Sequence, residues 1–190
     1  MNFKRAKQVN IVSMADSKAQ VVVSLLVCLL ICFGASFLGS QATMQGLQAW
    51  YPSLNKPAFN PPSWVFAPVW TVLFFLMSVA LWMVWRSPAS KWRTMALILF
   101  AVQLILNVLW SWLFFAWQNL FGSFVEILCH VVAIMATIFA FSRVRSTAAW
   151  LLVPYLAWTG FASFLTYSIY QLNSSGTDGS NIQIQIGERE

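Results

Sequence analysis

The sequence predicts an all-α integral membrane protein: a bundle of five transmembrane helices with a long ordered first loop. Three observations predict it. Of the 190 residues, 59% are hydrophobic and 8% charged, against about a quarter charged in a soluble domain, and the mean hydropathy is +0.70. Five apolar runs are each long enough to cross a bilayer core as a helix, which takes about 20 residues. The cations gather in short patches between those runs, where they set topology. The formal charge of +6 is therefore no nucleic-acid footprint, and no nucleic-acid partner is expected.

The elements follow in chain order. Residues 1–20 form a polar basic tail with Lys4, Arg5, Lys7 and Lys18. The run 21–40 suits a full span better than the shorter core of a signal peptide. Within it Ala35 and Gly39 stand four apart, a spacing that permits close helix approach or simply fits local packing. A loop over 41–60 follows. Asn60-Pro61-Pro62 reads as a helix start, with an Asn cap and Pro in the first turn, where the missing N–H costs nothing. The second span is expected over 62–85. Pro68 inside it should free the carbonyl of Trp64 and bend the helix.

The third span is expected over 94–117. Gln103 and Asn107 lie one turn apart on one face of it. Gln118 to Gly122 reads as a tight turn, and the fourth span as 123–142. The fifth is expected over 148–172, with Pro154 inside it. Residues 174–190 are polar and rich in Ser and Gly, a disordered tail with weak Ile/Gln alternation at Ile182, Ile184 and Ile186. Cys28, Cys32 and Cys129 fall in apolar segments, which suggests free, packed thiols rather than a disulfide framework.

Charge gives orientation. The N-terminal segment, second loop and fourth loop hold nine Lys and Arg, and the opposite side holds two. The N-terminus is therefore expected in the cytoplasm, with the first loop and C-terminus outside. The lack of an Arg-rich presequence favours a bacterial inner membrane over an organelle. Trp85, Trp92, Trp117 and Trp150 lie at span ends and read as interface anchors.

The first loop leads into the most unusual stretch, WYPSLNKPAFNPPSWVFAPVW at residues 50–70. Pro52, Pro57, Pro61, Pro62 and Pro68 prevent it from being one regular helix, yet it is too aromatic for a solvated linker. It reads as an ordered cap over the bundle, running into the second helix. Three further signatures stand in order: QLILNVLWSWLFF at 103–115, Val125-Glu126, and VPYLAWTGFASFL at 153–165. Together with the cap they are similar to the tryptophan-rich sensory protein and translocator protein (peripheral benzodiazepine receptor) family, over about residues 21–173.

The resemblance implies a five-helix bundle, often a homodimer through transmembrane helices, with a cavity between helices closed by the first loop. It implies a membrane protein binding porphyrins, haem-pathway intermediates and other hydrophobic small molecules, without a resident cofactor. Such a protein would serve as a receptor or transporter of tetrapyrrole intermediates in stress or light and oxygen responses. Some bacterial relatives degrade porphyrin in light, a role that would fall here on Trp70 and Trp158. Three departures stand out. Trp112 replaces the family's third-helix Pro, so that helix is expected to be straighter. Thr166 replaces a fifth-helix Asn. No cation follows Tyr167 closely, so specific sterol recognition is not expected.

The residues themselves allow two readings. Trp70 and Trp158 offer flat faces that stack on a macrocycle, or fill the core. Glu126 is the sole acidic residue within a span. Intramembrane carboxyls are costly and by default functional or paired, and Gln103 and Asn107 are the expected partners. His130, one turn on, could ligate a metal or haem iron, but two ligands make no metal site. Lys56 could meet an anionic group or snorkel as a surface cation. With the resemblance, the ligand residues implied are Trp50, Tyr51, Lys56, Pro57, Phe59, Trp64, Trp70, Asn107, Trp110, Glu126, Tyr155 and Trp158. A phosphate loop, a Ser-His-Asp set and paired carboxylates are all missing from the pattern, which argues against hydrolytic or phosphoryl chemistry.

Overall fold

The computed structural model describes residues 3–174, with side chains described from residue 18 onward. The elements are α1 (Phe3–Leu47), α2 (Trp50–Ser53), a 3₁₀ turn (Ser63–Val65), α3 (Phe66–Trp85), α4 (Lys91–Ser111) continuing into a π-helical segment (Trp112–Ala116), α5 (Leu120–Ser142), α6 (Ser146–Trp150) and α7 (Val153–Ser174). Five stretches are long and apolar enough to cross a membrane: Lys18–Leu47, Ser63–Trp85, Lys91–Ala116, Leu120–Ser142 and Ser146–Ser174. The expected tail over 174–190 lies, but for Ser174, outside the described residues.

Packing runs α3–α1–α4–α5–α7, with α6 against α3 and α5. Large apolar side chains point outward as well as inward. Leu30 and Ile105 are 73% and 66% exposed, as a surface solvated by lipid requires. The inner seam holds Cys28 and Cys32 from α1, Phe74 and Met77 from α3, Phe100 from α4, Phe141 from α5 and Tyr155 from α7. All three cysteines are free, but Cys129 is exposed on α5 rather than packed. Trp85, Trp92, Trp117 and Trp150 are all exposed, as interface anchors are.

Both prolines placed inside spans stand in the first turn of a helix. Pro68 is the third residue of α3 and Pro154 the second of α7. Neither costs a helical hydrogen bond there, because first-turn N–H groups have no intrahelical acceptor to lose. The fifth span is instead two helices, α6 and α7, with the chain turning at Leu151-Leu152 just before Pro154. Asn60 caps nothing: its Oδ1 accepts from the Tyr51 hydroxyl at 2.9 Å, and Pro62 precedes the 3₁₀ turn.

The third span ends in a widened turn rather than a straight one. Trp117 N–H donates to the Trp112 carbonyl at 2.8 Å, the i to i−5 pattern of a π-helix. The helix expected to be straighter with Trp112 at this place thus ends in a π-helical turn. Gln118 then takes φ 53°, and Asn119 caps α5 by accepting from Gly122 N–H at 2.8 Å. Helix α1 lies close against this region. A Cβ on Gly39 would press on Ser111 Oγ at 3.3 Å, and one on Gly46 would strike the Phe115 carbonyl. Only glycine fits so near a neighbouring backbone.

Candidate functional site

A cavity of about 400 Å³ lies among α1, α3, α4, α5 and α7, under the first loop. That is the size of small-molecule sites. Trp70 and Phe66 come from α3, Asn107 and Trp110 from α4, His130 from α5, and Trp158 and Thr159 from α7. Helix α1 supplies Ser36, Gly39, Ser40 and Thr43.

Half-buried Trp70 and Trp158 stand on different helices and both line the space. Each is braced by edge-on aromatic contact: Trp70 against Tyr155 (6.3 Å, 67°) and Trp158 against Phe66 (5.9 Å, 72°). Trp110 lies flat on Phe114 at 5.1 Å. These contacts hold the indole planes in place.

Behind the aromatic wall sits a polar knot. Tyr155 is 1% exposed, and its hydroxyl meets three side chains. It accepts from Asn107 Nδ2 at 3.0 Å, donates to Gln103 Oε1 at 2.9 Å, and lies 2.7 Å from His130 Nε2. A phenol hydroxyl has one proton and two lone pairs. With the first two bonds assigned as above, the direction of the third follows the His130 tautomer. The knot ties α4, α5 and α7 together and presents Asn107 and His130 to the cavity.

Glu126 takes no part in it. Gln103 and Asn107 bond Tyr155, not the carboxylate. Glu126 is buried with neither carboxylate oxygen hydrogen-bonded, and it does not line the cavity. Among the described residues no group of three or more His, Cys, Asp or Glu is arranged to hold a metal.

The first loop is tied by its own polar groups. Lys56 Nζ donates to the carbonyls of Tyr51, Pro52 and Leu54 at 2.7, 3.2 and 2.8 Å, and lies 4.9 Å from the Tyr51 ring centroid. All three of its donors are used inside the lid. Burial pushes the Tyr51 phenol above its ordinary pKa, against the opposing hydrogen bond to Asn60. Tyr51 lines the cavity from above, and Trp50 packs edge-on to Phe114 at 5.4 Å.

Of the residues singled out in the sequence, Tyr51, Trp70, Asn107, Trp110 and Trp158 line the cavity. Tyr155 stands one layer behind, and Trp50 beneath the lid. Pro57 closes a turn by accepting from Asn60 N–H at 3.0 Å. Phe59 stacks on Phe164 at 5.1 Å on the outer side, and Trp64 is 74% exposed. The α1 wall was missed, although Ser36, Ser40 and Thr43 fall at i, i+4 and i+7 in an apolar helix, a polar stripe on one face.

A model of the TspO/MBR family matches residues 27–172. The chain belongs to the TspO/MBR family. It is 41% identical to tryptophan-rich protein TspO of Chlorobaculum tepidum, over 80% of this chain and 97% of the relative. It is 38% identical to the translocator protein of Bos taurus, over 77% and 88%. It is 37% identical to the tryptophan-rich sensory protein of Cereibacter sphaeroides, over 71% and 85%. The family and the five apolar helices together make it a multi-pass integral membrane protein. The matched region ends before the C-terminal tail and takes in every residue of the cavity and the lid.

Proposed function

We propose that this TspO/MBR-family membrane protein is a receptor for porphyrins and related hydrophobic small molecules, regulating or moving tetrapyrrole intermediates in response to stress, light or oxygen. The observation that carries the reading is the cavity wall. Two braced indoles, Trp70 and Trp158, flank a space in which Asn107 and His130 are held by the Tyr155 hydroxyl. Flat aromatic surface favours a planar ligand, and a few fixed polar groups give it orientation. Lys56 spends its donors on lid carbonyls, so recognition of an acidic substituent does not rest on it. The reading needs no resident cofactor, and takes membrane lipid and a second copy of the chain as the other partners. The Lys and Arg distribution supports a cytoplasmic N-terminus with the lid on the outer side.

Titration of the purified protein with protoporphyrin IX, following tryptophan quenching, tests the reading. Saturable one-site binding is expected, weakened about ten-fold or more in the double variant Trp70→Phe/Trp158→Phe. Quenching that never saturates, or that is indifferent to both substitutions, would refute it. The pairing of two oxidisable indoles at the cavity also favours a second reading, light- and oxygen-dependent porphyrin breakdown. Illuminating the complex separates the two: loss of porphyrin absorbance that needs both tryptophans supports breakdown, and a stable spectrum supports a receptor. Flux of porphyrin into proteoliposomes would mark a transporter, the activity that the name of the bovine relative speaks of.

A further inference from the structure

One side chain fastens the lid to the bundle. Asn173, near the end of α7, accepts from the Asn55 backbone N–H at 3.0 Å and donates to the Asn55 carbonyl at 2.9 Å. Its amide also donates to the Ile169 carbonyl at 2.8 Å. Two N–H donors and one carbonyl oxygen are thus all in use. The contact joins positions 118 apart in sequence. A two-point grip on one residue fixes orientation, where a single hydrogen bond would leave a hinge.

On the lid side the grip falls on a rigid unit. Lys56 gathers the carbonyls of Tyr51, Pro52 and Leu54, so holding Asn55 holds that whole segment. Tyr51 at one end of the segment and Ile169, one turn before Asn173, both line the cavity. The grip itself is exposed, so water competes for it, and it can open without disturbing the buried knot at Tyr155. Beside the grip, the segment touches the bundle through Trp50 and Tyr51, whose rings pack on Phe114.

We propose that Asn173 is a positioning residue that latches the lid onto α7 and sets the rate at which small molecules pass between the cavity and the outside. The proposal rests on the reading of the cavity as a ligand site. A latch present in both the filled and the empty protein changes rates more than affinity.

Three measurements on the full chain test it, comparing Asn173→Ala with the parent. Hydrogen exchange at the Asn55 amide reports the latch directly and is expected to quicken. Access to the cavity is read without any ligand, by the rate at which a water-soluble methanethiosulfonate labels a cysteine introduced by Ala162→Cys, with Cys129→Ser removing the exposed native thiol. Losing two exposed hydrogen bonds is expected to speed labelling about ten-fold. Stopped-flow with protoporphyrin IX should show association and dissociation both faster by about that factor, with Kd changed less than about three-fold. Faster exchange at Asn55 with unchanged labelling overturns the latch. So does a weaker Kd arising from dissociation alone, which would make the lid a ligand contact. Faster labelling in a protein that binds no protoporphyrin keeps the latch and refutes the porphyrin reading instead.

Discussion

Tyr155→Phe removes a single oxygen and leaves three buried groups without their shared partner. The ring stays, so its contacts with Trp70 and His130 (6.3 and 5.8 Å between centroids) are kept. What goes is the acceptor for Asn107 Nδ2, the donor to Gln103 Oε1 and the partner of His130 Nε2. A buried polar group stripped of its partner costs about 1–3 kcal/mol. Asn107 and His130 face the cavity and can take up water there, so each sits at the low end. Gln103 is 1% exposed, and its Nε2 already lacks a partner, so it carries the larger share. Inter-helix hydrogen bonds measured in membranes average less than in water, about 0.6 kcal/mol. Weighing these, the loss should be roughly 2–4 kcal/mol. It is read as a fall in the unfolding midpoint in detergent, using the same scan rate for both proteins. In a Gln103→Leu background the same substitution should cost about 1 kcal/mol less, because one orphan is gone before the hydroxyl is removed. An unchanged midpoint for Tyr155→Phe, or full additivity with Gln103→Leu, would refute the knot as the structure's polar tie.

Two other perturbations follow from the packing. Gly46→Ala drives a methyl into the Phe115 carbonyl, and should lower stability by about 1–3 kcal/mol, seen as a lower midpoint and lower yield of folded protein. Glu126→Leu removes a buried carboxyl with no hydrogen bond, and should raise stability by about 1–3 kcal/mol, seen as a higher midpoint. Glu126→Gln should leave the protoporphyrin titration unchanged, since the side chain is off the cavity wall; altered affinity in that variant would place it back in the site.

Much of the architecture was legible because it rests on local quantities. Span length and apolar content are summed along one helix, and five such runs appear where the sequence suggests them. Boundaries slipped where a special residue acts through its exact place in a turn. Pro68 looked like a kink and proved to be a first-turn residue, because the helix around it starts later than hydropathy implies. The π-helical end of the third span has no local sequence signal. It accompanies the close approach of Gly46 to Phe115, a contact between residues far apart in the chain.

The site divides the same way. The sequence by itself left Trp70 and Trp158 as core or ligand residues, and the resemblance of its signatures to a known family grouped them with Asn107, Trp110 and Tyr155. The sequence did determine that a proline-rich cap would follow the first span. Only the tertiary structure decided who meets whom. Gln103 and Asn107 turn to Tyr155 instead of Glu126, Lys56 spends its charge on lid carbonyls, and Asn173 reaches across to Asn55. The reason is physical. Burial is driven by apolar area and needs no particular partner, so composition along a helix foretells it. A hydrogen bond needs two atoms about 3 Å apart at a suitable angle, and that depends on the register between helices, which no single segment encodes.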